Sequence, residues 1–256
     1  MSGTPPLLAA RALTKHYGTV EALRGASFEA RAGEVVALVG DNGAGKSALV
    51  KCLSGVETPD AGEIVFDGAP VRFTSPTDAR AMGIETVYQD LAVAPDLDPA
   101  ANLFLGRELR KPGLLGRLGV LDKAEMRRRA TREFARLGVR LPSVDVPIGA
   151  LSGGQRQSVA VARSVVWASR VVFMDEPTAA LGVVQRQRVL DVIRRVRDEG
   201  IAVVLISHNM PEVLAVADRV EVLRLGQRVA RFQAADTTVE QLVGAMTGAL
   251  TQEDAA

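Results

Sequence analysis

Residues 35–47 read Val35-Val36-Ala37-Leu38-Val39-Gly40-Asp41-Asn42-Gly43-Ala44-Gly45-Lys46-Ser47. The first five are apolar without alternation, which suits a strand buried on both faces of a parallel sheet. The next eight fit G-x-x-x-x-G-K-[ST], a loop that cradles phosphate when it follows a strand and opens a helix. Both flanks are present, because Lys46 to Leu53 reads as a helix with Gly55 near its end. Each position has a physical task. Gly40, Gly43 and Gly45, with Asp41, Asn42 and Ala44 between them, let backbone N–H groups turn toward phosphate oxygens. The helix start adds the positive end of its dipole. Lys46 is placed to reach the β- and γ-phosphates, and the Ser47 hydroxyl to hold Mg²⁺. The loop points to nucleotide binding.

Two further runs share the apolar pattern of Val35–Val39. Val171-Val172-Phe173-Met174 stops at Asp175, and Ile201 to Ile206 stops at Ser207-His208. Three such strands in one parallel sheet aim their polar ends at one rim, where α/β proteins bind ligands. The pair Asp175-Glu176 then gains a purpose. The first acid is suited to Mg²⁺, usually through water, and the second to orienting or deprotonating an attacking water.

Helices are predicted between the strands. Val183 to Glu199 carries Val189, Ile193 and Val196 on one face and stops at Gly200. Asp122 to Leu137 starts with Asp122 as N-cap and Glu125 closing a capping box. Its stripe is Met126, Ala130, Phe134 and Leu137. Ile64-Val65-Phe66, Asp67-Gly68 and Val71-Arg72-Phe73 read as a hairpin. From about 90 to 165 the chain is helical and punctuated by Pro95, Pro99, Pro112, Pro142 and Pro147. The expected fold is therefore α/β: a phosphate-loop parallel-sheet core of about 5–89 and 166–235 with an antiparallel β portion. An α-helical subdomain of about 90–165 is inserted into it, and a C-terminal helix covers about 237–250.

Composition bounds the rest. The 256 residues are 47% hydrophobic and 24% charged, ordinary globular usage. Thirty-one Lys+Arg against thirty Asp+Glu leave a net charge of +1, which argues against a dedicated nucleic-acid binder. One cysteine and two histidines exclude a disulfide scaffold and leave little room for a zinc site. No apolar run approaches the roughly 20 residues of a bilayer span, and Met1 to Pro6 does not read as a secretory leader. Cys52 is expected to be a buried core thiol, Trp167 to pack in the helix after residue 155, and Arg127-Arg128-Arg129 to be a solvated face.

Leu151-Ser152-Gly153-Gly154-Gln155 makes the pattern specific. With it, the chain from about residue 7 to 235 resembles the ATP-binding subunit of ABC transporters. Residues 40–47 match Walker A, 151–155 the ABC signature and 171–176 Walker B with its following glutamate. Tyr17 matches the adenine-stacking aromatic, Gln89 the Q-loop and His208 the switch histidine. The resemblance implies an ATP hydrolase of two copies, each nucleotide lying between Walker A of one and the signature of the other. Ser152 would bond the γ-phosphate, Gly153 and Gly154 would allow close approach, and the helix from Gln155 would aim its N-terminus at the anion. Glu176, His208 and Gln89 would act in catalysis; Ser47, Asp175 and Gln89 would face Mg²⁺. One position departs from the pattern: Gly182, in Ala179-Ala180-Leu181-Gly182, stands where the family usually has the D-loop aspartate. This puts cross-talk between the two sites in doubt.

Ser75 to Ile84, Val87 to Leu91, Ala101 to Glu108, and Ser207-His208-Asn209-Met210 resemble the simple-sugar branch of carbohydrate importers. That resemblance implies an ATPase at the cytoplasmic face of the membrane, docked on an integral permease near Gln89 to Asp98. It would be fed indirectly by an extracytoplasmic sugar-binding protein. A single phosphate loop and a single signature imply a second ATP-binding subunit, most simply another copy. No nucleic-acid partner is expected. The alternatives are a soluble ABC ATPase of translation or DNA maintenance, a non-hydrolysing ATP-switched subunit, and a transporter for a nucleoside or polyol.

Overall fold

The computed structural model describes residues 5–87, 93–179 and 181–250. Its strands are β1 (Leu8–Tyr17), β2 (Val20–Ala30), β3 (Val35–Val39), β4 (Ala61–Phe66), β5 (Ala69–Val71), β6 (Ile84–Val87), β7 (Val171–Asp175), β8 (Ala202–Ile206), β9 (Arg219–Arg224) and β10 (Gln227–Gln233). Its helices are α1 (Lys46–Leu53), α2 (Pro76–Ala81), α3 (Pro99–Phe104), α4 (Leu114–Arg117), α5 (Lys123–Arg136), α6 (Gly153–Val165), α7 (Val183–Asp198), α8 (Met210–Val216) and α9 (Val239–Thr247).

The chain divides into two compact units. One holds residues up to Thr86, Ala168–Glu176 and the chain from Ile193 onward; the other holds Val87–Trp167 and Pro177–Val192. The sequence pattern places 177–192 with the core; in the structure this stretch groups with the helical unit.

The first unit is built on two sheets, ordered β2-β1-β4-β5 and β10-β9-β3-β8-β7-β6. The three apolar runs are neighbours, with β3 and β7 each parallel to β8. All fifteen residues of these strands except Asp175 are buried, as strands covered on both faces must be. The four-stranded sheet pairs antiparallel throughout. Phe28, Leu38, Leu49, Cys52, Phe73 and Phe173 belong to one core cluster. Burial pushes the Cys52 thiol up to about 11, so it is an inert core residue.

Local details adjust three expectations. The hairpin turns at Asp67-Gly68, but Phe66 pairs with Ala69 and the return strand ends at Val71. Phe73 lies beyond it as a buried core side chain. At α5 only half of the capping box forms. Asp122 accepts from the Glu125 N–H, while the Glu125 carboxylate takes Arg128 at 2.6 Å and Arg129 at 2.8 Å. A nearby cation outbids a single backbone N–H for an exposed carboxylate. Arg127 is not simply solvated: its Nε reaches Asp145 at 2.8 Å.

In the second unit α3, α5 and α6 pack on one another, burying Leu103, Phe104, Met126, Ala130, Phe134, Val159 and Val161. Trp167 lies just past α6, donating its indole N–H to the Leu103 carbonyl at 3.0 Å and meeting Phe104 edge-on at 5.5 Å. Among the described residues no helix is long and apolar enough to cross a membrane.

Candidate functional site

The phosphate loop connects β3 to α1. Its last glycine, Gly45, is the N-cap of α1 at φ 102°, and no side chain caps the helix. A Cβ there would come within 2.6 Å of the Ala22 carbonyl, so the loop accepts only glycine. Lys46 Nζ donates to the carbonyls of Gly40 at 2.7 Å and Asp41 at 3.0 Å. The ammonium is thus folded back over its own loop. Partial burial lowers the Lys46 pKa, while Glu176, Asp175 and Asp41 pull the other way.

Asp175 ends β7 and pairs in register with Ile206, the last residue of β8. Burial, and then the charge of Glu176, raise the Asp175 pKa, with Lys46 opposing. Just past the two strands Glu176 and His208, one and two residues on, come together. Glu176 has φ 50°, a left-handed conformation that costs a non-glycine residue of order 1 kcal/mol. Its N–H is tied to the Ile206 carbonyl at 2.9 Å, and its Oε1 lies 2.8 Å from His208 Nδ1. The Glu176 side chain is 14% exposed and that of His208 is 78% exposed. The strain holds the carboxylate at the rim beside a histidine that solvent or a ligand can reach.

Tyr17 closes β1 and is partly exposed. Burial, then a hydrogen bond with Glu57, pushes its phenol up to about 12. Lys15 Nζ lies 5.8 Å and Lys51 Nζ 6.0 Å from the ring centroid. Such an aromatic offers a face for stacking and stays neutral at physiological pH. Lys46, Asp175, Glu176, His208 and Tyr17 all belong to this first unit. Gln89 lies outside the described residues.

The signature belongs to the second unit. Ser152 is the N-cap of α6, with a full capping box: its Oγ accepts from the Gln155 N–H, and Gln155 Oε1 accepts from the Ser152 N–H at 2.9 Å. The S-x-x-Q spacing carries that signal in the sequence. Gly153, exposed, and Gly154, partly buried, form the first turn. The same unit contributes two partners that motif reading did not find. Gln157, buried on α6, donates to the Pro177 carbonyl at 2.7 Å. Gln185, in the first turn of α7, lies against Gly154 so closely that a Cβ there would overlap its Cγ. Its Oε1 would meet a Cβ at Gly182 at 2.8 Å. Gly153, Gly154, Gly182 and Gln185 line one open cavity of about 560 Å³. No sequence motif marks Gln185, because its role comes from a tertiary approach.

Comparisons with known proteins point to one family. The family model described as "ABC transporter" matches residues 23–179. The fructose import ATP-binding protein FrcA of Rhizobium meliloti is 51% identical over 95% of this chain and 95% of its own. The xylose/arabinose import ATP-binding protein XylG of Sulfolobus acidocaldarius is 45% identical over 94% of each chain. Among solved structures, cbiO1 from Clostridium perfringens, part of the ABC transporter complex cbiONQ, superposes with a TM-score of 0.78. It is 26% identical, covering 94% of this chain and 93% of its own.

Proposed function

The chain belongs to the ABC transporter ATP-binding family, and from that premise we propose that it hydrolyses ATP to energise import of a simple sugar through a membrane permease. The observation that carries the sugar reading is the 51% identity, over 95% of both chains, to a fructose import subunit. The pentose-import relative at 45% supports the wider class of simple sugars.

The residues divide the work as follows. The α1 N-terminus and Lys46 take the β- and γ-phosphates. The Tyr17 ring stacks on adenine. Glu176 orients the attacking water and takes its proton, and His208 contacts the γ-phosphate region. Ser152, Gly153, Gly154 and Gln155 present the α6 N-terminus to the nucleotide of a second copy. Gln89 links that site to the permease.

Mg²⁺ fits the residues present. Ser47 and Asp175 offer hard oxygen donors, one of them a carboxylate. Magnesium sites at nucleotides use one or two carboxylates together with substrate phosphates. When bound, the ion neutralises charge on the phosphates.

A partner copy is supported by Val183 and Val184, which are highly exposed apolar residues beside the D-loop position. The chain works at the cytoplasmic face of the membrane, with an extracytoplasmic sugar-binding protein upstream. Residues 5–250 form a single ATP-binding domain.

The test is affinity purification of the tagged protein from its native membranes, followed by mass spectrometry. A multi-span permease and a sugar-binding protein are the expected companions. Ribosomal or DNA-repair proteins in their place would leave the cassette and overturn importer function.

A further inference from the structure

The loop between α3 and α5 exposes three leucines. Leu114 is 71% exposed, Leu115 50% and Leu118 73%. Exposed leucines on a frayed loop would mean little, but this loop is built. Arg110 and Leu121 form an isolated antiparallel bridge. Lys111 N–H donates to the Val120 carbonyl at 2.9 Å and Asp122 N–H to the Leu109 carbonyl at 2.7 Å. Inside this neck, α4 is closed by Leu118 N–H to Leu114 carbonyl at 3.1 Å and Val120 N–H to Leu115 carbonyl at 3.0 Å. Gly116 is the buried residue of the turn, and any Cβ there would overlap the Lys111 carbonyl oxygen. The loop is closed by its own backbone hydrogen bonds, and the leucines are exposed.

The charges around the tip have one sign. Arg110, Lys111 and Arg117 are exposed beside the leucines, and among the described residues Lys111 and Arg117 form no ion pair. At the base of the loop Glu108 accepts from the Gly106 N–H at 3.0 Å and interacts with the charge of Arg110, while Asp122 accepts from the Glu125 N–H at 3.0 Å. Apolar side chains flanked by cations match the chemistry of an anionic bilayer surface, where leucine enters the headgroup–acyl boundary and Lys and Arg meet lipid phosphates.

We propose that the 110–121 loop is a peripheral membrane contact that dips Leu114, Leu115 and Leu118 into an anionic lipid surface. The contact is additional to any docking on a permease and does not depend on which solute is carried. Charge complementarity selects lipid over a second copy of this chain, whose facing loop would bring the same cations.

The test is cosedimentation of the purified full chain with two kinds of vesicle. One is phosphatidylcholine alone; the other is equal parts phosphatidylcholine and phosphatidylglycerol. Binding is expected only to the second and should weaken with added salt. Lys111→Gln with Arg117→Gln should lower the partition coefficient about fivefold per charge removed. Leu114→Ser with Leu118→Ser should abolish pelleting. Both double variants should keep the wild-type melting temperature and ATP affinity, since the side chains are exposed and outside the nucleotide site. Equal binding to both vesicles, or variants that pellet like wild type, overturns the proposal. So does loss of permease assembly in the leucine variant together with no vesicle binding by the wild type, which makes the loop a protein interface.

Discussion

Glu176 Oε1 and His208 Nδ1 lie 2.8 Å apart at the ends of neighbouring parallel strands. The contact follows from register. Asp175 pairs with Ile206, so the residues just beyond them meet at the rim. The left-handed backbone of Glu176 turns its carboxylate there, at a conformational cost of order 1 kcal/mol. Glu176→Gln is isosteric and removes the base. Steady-state ATPase should fall about 10²- to 10⁴-fold, while ATP binding persists and an ATP-loaded dimer accumulates on size exclusion. An unchanged turnover would take general-base chemistry away from Glu176.

Asp175 gives a stability prediction with a definite sign. Burial and Glu176 raise its folded pKa above the unfolded value, so its ionised form disfavours the folded state. The stability linked to its proton is present at low pH and lost as pH rises through the folded pKa. Asp175→Asn should therefore melt a few degrees higher than wild type at neutral pH. The gap should close as pH falls through the carboxylate range, and Mg²⁺-dependent ATPase should be lost throughout. Melting curves without nucleotide at several pH values check this; a variant that melts lower at neutral pH contradicts it.

Tyr17 should act through its ring. Tyr17→Ala is expected to weaken ATP binding by about 1–3 kcal/mol, the scale of base–aromatic stacking. Tyr17→Phe should stay close to wild type. The phenol is pushed up to about 12, so nucleotide affinity measured by fluorescence titration should show no tyrosine titration up to about pH 10.

Gly154 and Gln185 make a testable steric pair. In an open helix, Gly→Ala gains up to about 1 kcal/mol. Here the added methyl runs into Gln185, and overpacking costs about 1–3 kcal/mol. Gly154→Ala should destabilise the protein in urea unfolding, and Gln185→Ala in the same chain should restore most of the loss. Additive effects would show that the two side chains do not share the space.

Gly182 meets only the flexible end of Gln185 and is not in a left-handed conformation. Gly182→Asp should therefore fold with a melting temperature close to wild type. Its effect belongs to coupling: in the assembled transporter, the ATPase rate or its cooperativity in ATP should change. If neither moves, the glycine at this position has no part in communication between sites.

Much of the first unit was legible because its signals are local. Val35–Val39 with Gly40–Ser47 marks a strand, a turn and a helix within thirteen residues, and Lys46–Leu53 forms as read. Contacts between distant segments were not legible. Arg219 and Glu221 look like solvent-facing charges on an ordinary strand, yet both are buried and paired, with Arg219 Nε reaching Glu34 at 2.7 Å. Pattern reading scores a charge as exposed and cannot see a partner 185 residues away. Glu125 departs from the capping-box pattern for a smaller reason, since its choice between a backbone N–H and Arg128 depends on side-chain geometry.

The amino-acid order alone settles which chemical groups this protein has and in what sequence: a phosphate loop, an acid pair ending an apolar strand, a histidine ending another, and a serine–glycine–glycine–glutamine turn. Short-range backbone preference and hydrophobic period are enough for that. Folding decides which of those groups touch. The 2.8 Å pairing of Glu176 with His208, the packing of Gln185 on Gly154 and the outward leucines of the 110–121 loop all depend on strand register, helix approach and turn closure. Those are set by the sum of many weak contacts across the chain, and no window of sequence contains that sum.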